Sequence, residues 1–252
     1  MKVLCIHSLA IHGTASLKVM IRLLGTRLLP VASLYLSGLT NLQGIIKTEP
    51  EFEPLLRSSF ELARQRGERL IVYIGYLGSA NQAHLIGQSL DQYADLIEAI
   101  VVDPVSGDHG RTYVPETVWS SWPALLARAD WALPNFTELG LHSDLDRFAE
   151  RSIEEIVEAF ERRFPRLNYL ATSLPHPDGI QLCLRHSDSR AYYNHEMLVP
   201  HFGGTGDYFG ANFVDALYFQ KRSPKEAMQY AAQETLSCIR RSITAQSPDL
   251  LI

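Results

Sequence analysis

The chain is poor in cysteine, in basic runs and in long apolar stretches, and each shortage removes a class of protein. Its 252 residues hold three cysteines, Cys5, Cys183 and Cys238, far apart and without a C-x-x-C pair. Neither a disulfide framework nor a zinc ribbon is supported, and the expectation is three reduced thiols in a cytoplasmic protein. The charge is −5, from 23 basic and 28 acidic residues, with no polybasic run beyond Arg240–Arg241. Duplex binding needs concentrated phosphate-neutralising charge, so a nucleic-acid partner is not expected. Met1–His7 is broken too early by His7, Ser8 and His12 to be a signal h-region. No uncharged apolar stretch reaches the roughly 18 residues of a membrane helix, so no membrane partner is expected.

What is present is alternation. Apolar runs at Lys2–Ile6, Leu28–Tyr35, Leu70–Ile74, Ala99–Val102, Trp131–Leu133 and Leu167–Ala171 read as strands. Between them, helical spacing covers Ala15–Leu24, Glu51–Arg66, Asn81–Tyr93, Pro115–Arg128, Asn135–Leu141 and Leu145–Phe164. Gly179–His186 and Arg190–Leu198 flank the Ser187–Ser189 turn as an antiparallel hairpin, and Gly206–Phe219 and Pro224–Arg241 are closing helices. This order predicts an α/β fold over residues 1–252: one domain, a mostly parallel central sheet with helices on both faces, and an antiparallel edge. Such sheets bind ligands beyond the carboxyl ends of their strands. That rule gathers His7–Ser8, Gly75–Tyr76, Asp103, Asn135–Glu138 and Thr172–Ser173 on one rim.

The segment His201–Asp207, HFGGTGD, leads into an apolar helical run. Its glycines let backbone approach a ligand, and free N–H groups at the helix start favour an anion. An aspartate there opposes a resting anion unless it accepts a proton from an attacking hydroxyl, which points to phosphoryl transfer with Asp207 as base. The plain alternative is a glycine-rich turn whose aspartate starts a helix. Val102–Glu116 (VDPVSGDHGRTYVPE) and Leu133–Leu139 (LPNFTEL) place Asp103, Asp108 and Glu138 at strand ends. Hard oxygen ligands of this kind suit Mg²⁺ bridging nucleotide phosphates, while each acid alone also reads as a loop carboxylate capping a helix. His7, His12, His176, His195 and His201 lack zinc-ligand spacing.

DPVSGDHGRTYVPE, PNFTEL and GTGD, in that order, resemble the pyridoxal kinases of the ribokinase superfamily, over about Lys2 to Phe219. The resemblance implies a ribokinase-like fold, ATP as co-substrate, Mg²⁺ with a monovalent cation as a further option, and a homodimer. It implies phosphorylation of the 5′-hydroxymethyl group of a B6 vitamer. By the same resemblance Asp207 is the base and Gly204, Thr205 and Gly206 its anion hole. Asp103, Asp108 and Glu138 lie near metal and phosphates, with Asp103 and Glu138 as metal residues and Asp108 on the ATP side. Asn135, Thr172 and Ser173 lie near nucleotide phosphates, and Tyr113 covers ATP. Ser8 contacts the pyridine ring, Thr40 lies near the vitamin and Tyr76 packs by the ring. Two segments depart from the family pattern: Ala10–Ser16 (AIHGTAS) lacks G-Y-V-G, and residues 41–47 (NLQGIIK) lack H-T-G. The stretch between Gly107 and Tyr113 is short, which predicts a reduced nucleotide lid. A kinase of hydroxymethylpyrimidine or another small molecule, and a non-catalytic B6-binding regulator, are the competing readings.

Overall fold

The structure, a computed structural model, describes residues 1–40 and 42–252. Asn41, the first residue of the departing segment 41–47, lies outside the described residues. In chain order the elements are β1 (Lys2–Ala10), α1 (Leu17–Leu24), β2 (Leu28–Leu36), β3 (Lys47–Thr48), α2 (Phe52–Gln65), β4 (Leu70–Ile74), α3 (Ala80–Gln92) and β5 (Ile97–Val102). There follow β6 (Gly107–Asp108), β7 (Arg111–Thr112), α4 (Glu116–Trp119), α5 (Trp122–Leu126), β8 (Trp131–Ala132), α6 (Phe136–Leu141) and α7 (Ile153–Arg163). The chain closes with β9 (Asn168–His176), β10 (Gly179–His186), β11 (Ser189–His195), α8 (Thr205–Val214) and α9 (Pro224–Thr244).

Among the described residues, nine strands form one sheet in the order β11-β10-β9-β8-β5-β4-β1-β2-β3. The six from β9 to β2 are parallel, and β10, β11 and β3 are antiparallel additions. Side-chain alternation explains the two helical layers. Leu4, Ile6, Val72 and Ile74 face Leu56 and Phe60 of α2, Ile86 of α3 and Phe160 of α7. Val3, Cys5, Ile71 and Tyr73 point the other way, onto Leu17 and Met20 of α1, Phe209 and Phe213 of α8 and Met228 of α9. The expected α/β sheet with an antiparallel edge hairpin is thus present.

Several boundaries differ from expectation. The helix expected over Pro115–Arg128 is two helices, α4 and α5, because Pro123 lacks the N–H that would continue the first. The helix expected over Leu145–Phe164 begins only at Ile153. Ser152 and Glu155 form a capping box there, and Arg147 upstream is in the left-handed region. The run expected to be one helix to Phe219 leaves α-geometry at Asp215 and finishes in a wider turn. The β6–β7 hairpin and the two-residue edge strand β3 were not expected, being too short to carry a periodic signal.

The strand order reverses at β1: β2 lies on one side of it and β4 on the other. A crevice opens at such a point, beyond the carboxyl ends of the strands. A bulge marks the spot. Register shifts between His7 and Ser8, with His7 opposite Ala32 and Ser8 opposite Leu34.

Candidate active site

A cavity of about 450 Å³ fills that crevice, within the range of small-molecule sites. Ser8, Thr40, Tyr76, Asp103, Asp108, Tyr113, Asn135, Glu138, Thr172, Gly204, Thr205, Gly206 and Asp207 all line it. Ser173 does not. It is exposed, with a left-handed backbone (φ 59°) that turns it out of the crevice. Residues from six strand ends and one helix start therefore meet in one place, as the carboxyl-end rule requires.

The helix start is built on Gly204. Its φ is 84°, and a Cβ there would lie 2.2 Å from the Thr14 carbonyl oxygen. Only glycine tolerates both conditions. Thr205 and Gly206 then open α8, and Asp207 occupies the third helical position.

Asp207 is only 11% exposed and has a polar neighbour at each oxygen. Oδ2 accepts the Ser16 backbone N–H at 2.6 Å. Oδ1 lies 2.9 Å from His7 Nε2. In this geometry the His7 N–H is close but poorly aligned with that oxygen. Ser16 adopts φ 55°, an uncommon conformation for a non-glycine residue, and this aims its N–H at the carboxylate. Burial alone would raise the Asp207 pKa. The imidazole and the Ser16 N–H outweigh burial and hold it below the ordinary value, so the group is ionised at neutral pH.

Asp103 behaves oppositely. Burial, then repulsion from Asp207, pushes its pKa up to about 7, although His7 and a 3.1 Å hydrogen bond from the Tyr73 hydroxyl act the other way. Glu138 is 2% exposed, and burial together with the Asp103 charge raises it well above the carboxylate range. Its Oε1 accepts the Ser106 N–H at 2.9 Å and its Oε2 the Asn135 N–H at 3.0 Å. Asn135 Oδ1 returns the bond to the Glu138 N–H, completing a capping box at α6. Asn135 Nδ2 also donates to the Gly107 carbonyl, tying α6 to the β6–β7 hairpin. The plain reading of Glu138 as a helix cap is thus realised, in the same residue that faces the cavity.

At the other end, the Ser8 hydroxyl donates to Ser16 Oγ at 2.9 Å, and Tyr76 is 6% exposed. Thr40 is exposed at the rim. Among the described residues lining the cavity there is no lysine or arginine. Compensation for the charge of any bound anion would then rest on the α8 helix start and on a cation. Asp103 offers a hard oxygen donor with excess negative charge around it, which fits Mg²⁺. Glu138, with both oxygens engaged, fits support of that ion from behind. Sequence spacing weighed His7 only as a zinc ligand. The strand-end rule put His7 on the rim beside Ser8, but nothing in the spacing showed the imidazole between two acids.

No family model matches the chain. The sheet order and its strand-end crevice give the chain a ribokinase-like fold. Within it, the likeness is to B6-vitamer kinases. The chain is 26% identical over 188 residues to a pyridoxine/pyridoxal/pyridoxamine kinase of Bordetella avium (strain 197N), covering 69% of this chain. The match spans 62% of that relative's length. A protein of Bacteroides thetaiotaomicron described as a phosphomethylpyrimidine kinase, crystallised with pyridoxal, superposes with TM-score 0.84 at 26% identity. That superposition covers 96% of this chain and 88% of the other. The pyridoxal kinase of Leishmania donovani, in complex with ADP and ginkgotoxin, has the same fold: TM-score 0.80 at 22% identity, covering 96% and 87%.

Proposed function

We propose that the protein transfers the γ-phosphoryl group of ATP to the 5′-hydroxymethyl group of pyridoxal, pyridoxine or pyridoxamine. The observation that carries this reading is Asp207, an ionised and nearly buried carboxylate placed at a glycine-built helix start. The likeness to B6-vitamer kinases supports the choice of acceptor.

In this reading the vitamer lies at the β1 and β2 end, with Ser8 against the ring nitrogen or hydroxyl, Tyr76 against its face and Thr40 at the rim. ATP enters over β5, β8 and β9, its phosphates near Asn135, Thr172 and Asp108, with Tyr113 and the β6–β7 hairpin above. Asp207 takes the proton of the hydroxymethyl group as its oxygen bonds to the γ-phosphorus and the bond to the ADP oxygen breaks. The N–H groups of Gly204–Gly206 stabilise the equatorial oxygens of the moving phosphoryl group. Asp103, supported by Glu138, would hold Mg²⁺, which supplies charge neutralisation to the β- and γ-phosphates when bound. Asp207 then releases its proton to solvent. A cytoplasmic homodimer belongs to the same proposal, and light scattering tests the assembly.

ADP formation with each vitamer, with hydroxymethylpyrimidine and with no acceptor tests the reading. Turnover strictly dependent on a B6 vitamer supports it. Preference for hydroxymethylpyrimidine moves the acceptor to the second reading, which the phosphomethylpyrimidine-kinase description of the Bacteroides neighbour favours. Tight vitamer binding without ADP formation would make the protein a B6-binding regulator.

A further inference from the structure

His7 is 1% exposed and stands in β1 just past the last residue paired with β4, Ile6, where the strand meets the crevice. The β-bulge at this point shifts register between His7 and Ser8. The Ser8 backbone N–H turns to the His7 ring instead, and donates to Nδ1 at 2.9 Å. A ring nitrogen that accepts a hydrogen bond carries no proton, so in the neutral ring the proton sits on Nε2. That nitrogen lies 2.9 Å from Asp207 Oδ1.

Room for the ring is made by Gly75. A Cβ at that position would lie 2.0 Å from His7 Cδ2 and 2.2 Å from Nε2. The Gly75 N–H is bonded to the Ile6 carbonyl at 2.8 Å, so the backbone cannot retreat without losing a sheet bond. Burial, bulge, tautomer and glycine all converge on one ring orientation. Donor atoms of His7, Asp103 and Asp207 fall within 4.8 Å of one another. With its Nε2 protonated, His7 is a donor to the acids and not a metal ligand.

We propose that His7 is the positioning residue of Asp207: its Nε2–H holds Oδ1 while the Ser16 N–H holds Oδ2, fixing the carboxylate plane so that a free lone pair faces the acceptor hydroxyl. The proposal rests on the phosphoryl-transfer reading above. The imperfect alignment of the His7 N–H fits a contact that tightens when both substrates are bound. His7 touches no substrate in this scheme. Its second service is to separate Asp207 from Asp103, two carboxylates that repel each other in the same crevice.

The test combines kinetics with a measurement that needs no turnover. ¹⁵N NMR of the wild-type protein, with the His7 signals assigned through H7Q, reads the tautomer. The proposal requires the Nε2–H form. H7L, which removes the donor at similar bulk, should lose about 10–100-fold in kcat, the worth of a hydrogen bond to a charged group. KM for ATP and for the vitamer should stay within about twofold, because no ground-state contact is lost. H7Q restores an N–H donor at similar reach and should recover most of the loss. An Nδ1–H tautomer overturns the proposal. So does H7L at wild-type kcat, a rise in KM with kcat unchanged, or an H7Q variant as slow as H7L. If wild type phosphorylates no vitamer, the reaction assigned above falls by itself, and the tautomer still decides whether His7 orients Asp207.

Discussion

The two ends of the crevice are made differently. The end proposed for the phosphates stands on regular elements: the ends of β5, β8 and β9, the capping box of α6 and the glycine-built start of α8. Its key acid, Glu138, is 2% exposed and bonded on both oxygens. The vitamin end stands on the loops after β1 and β2. Ile11 and Ile46 there are each 69% exposed, and Leu42 is 49% exposed. PNFTEL and GTGD fall at the first end, and DPVSGDHGRTYVPE starts there before running into the exposed β6–β7 hairpin. Of the three departures from the family pattern, the short Gly107–Tyr113 stretch lies in that hairpin and the other two in the loops after β1 and β2. Phosphoryl chemistry tolerates little displacement of its groups. Acceptor choice is a matter of loop contacts, and loops accept change. Under the proposed function, the first end sets what reaction is run and the loop end sets on which alcohol.

Variants can break this division. The largest effect belongs to Asp207→Asn, which keeps size and loses the proton acceptor. Its kcat should fall about 10²–10⁴-fold while both KM values change little. More than about a tenth of wild-type kcat would remove Asp207 from the role of base, with Asp103 the first replacement. Glu138→Gln comes next. An amide NH₂ now faces a backbone N–H, leaving a buried donor unpaired at about 1–3 kcal/mol. Thermal unfolding should drop by several degrees, and the Mg²⁺ needed for half-maximal rate should rise, at unchanged vitamer KM. A fall in Tm with unchanged Mg²⁺ dependence would leave Glu138 as a helix cap alone.

Stability against pH sharpens the same contrast. Asp103 titrates near 7 in the folded protein against an ordinary value of 3.8. Between those values the folded state keeps a proton that the unfolded chain has lost, so stability falls as pH rises through this window. Glu138 adds the same sign, and Asp207, shifted down, contributes oppositely, its stabilisation being lost only as pH falls below the ordinary carboxylate value. Without Mg²⁺, going from pH 5 to pH 8 should cost wild type about 1–3 kcal/mol more than Asp103→Asn, read by denaturant unfolding at each pH. Parallel pH curves for the two proteins would show that Asp103 does not carry the strain of the phosphate end. The smallest effect is expected at the vitamin end. Ser8→Ala should raise the vitamer KM about 2–12-fold and leave the ATP KM alone. A raised ATP KM at constant vitamer KM would put Ser8 at the wrong end.

Much of the fold could be read from sequence because buried parallel strands are continuous apolar runs, as in Leu70–Ile74, and helices such as α2 keep a clean apolar stripe. The strand-end rule placed His7, Ser8, Tyr76, Asp103, Asn135, Glu138 and Thr172, all of which line one cavity, while the motif resemblance supplied Thr40, Asp108, Tyr113 and Gly204–Asp207. Ser173, where a positive φ turns the chain outward, does not line it. What could not be read was decided by tertiary contacts. His7 looks like any strand-end histidine until the bulge, Gly75 and Asp207 surround it. Ser16 matters through its backbone N–H, which no side-chain pattern reveals. The late start of α7 was written in Ser152 and Glu155, but the charged stretch before it matched helical composition equally well.

The most direct measurement is ³¹P NMR of ATP, Mg²⁺ and pyridoxal incubated with the protein, run beside Asp207→Asn. Transfer to the hydroxymethyl group predicts a phosphomonoester signal that grows in step with ADP in wild type and stays nearly flat in the variant. Inorganic phosphate in place of the monoester, or equal monoester growth in both proteins, would contradict a crevice in which Asp207 takes the proton of the hydroxymethyl group as ATP phosphorylates it.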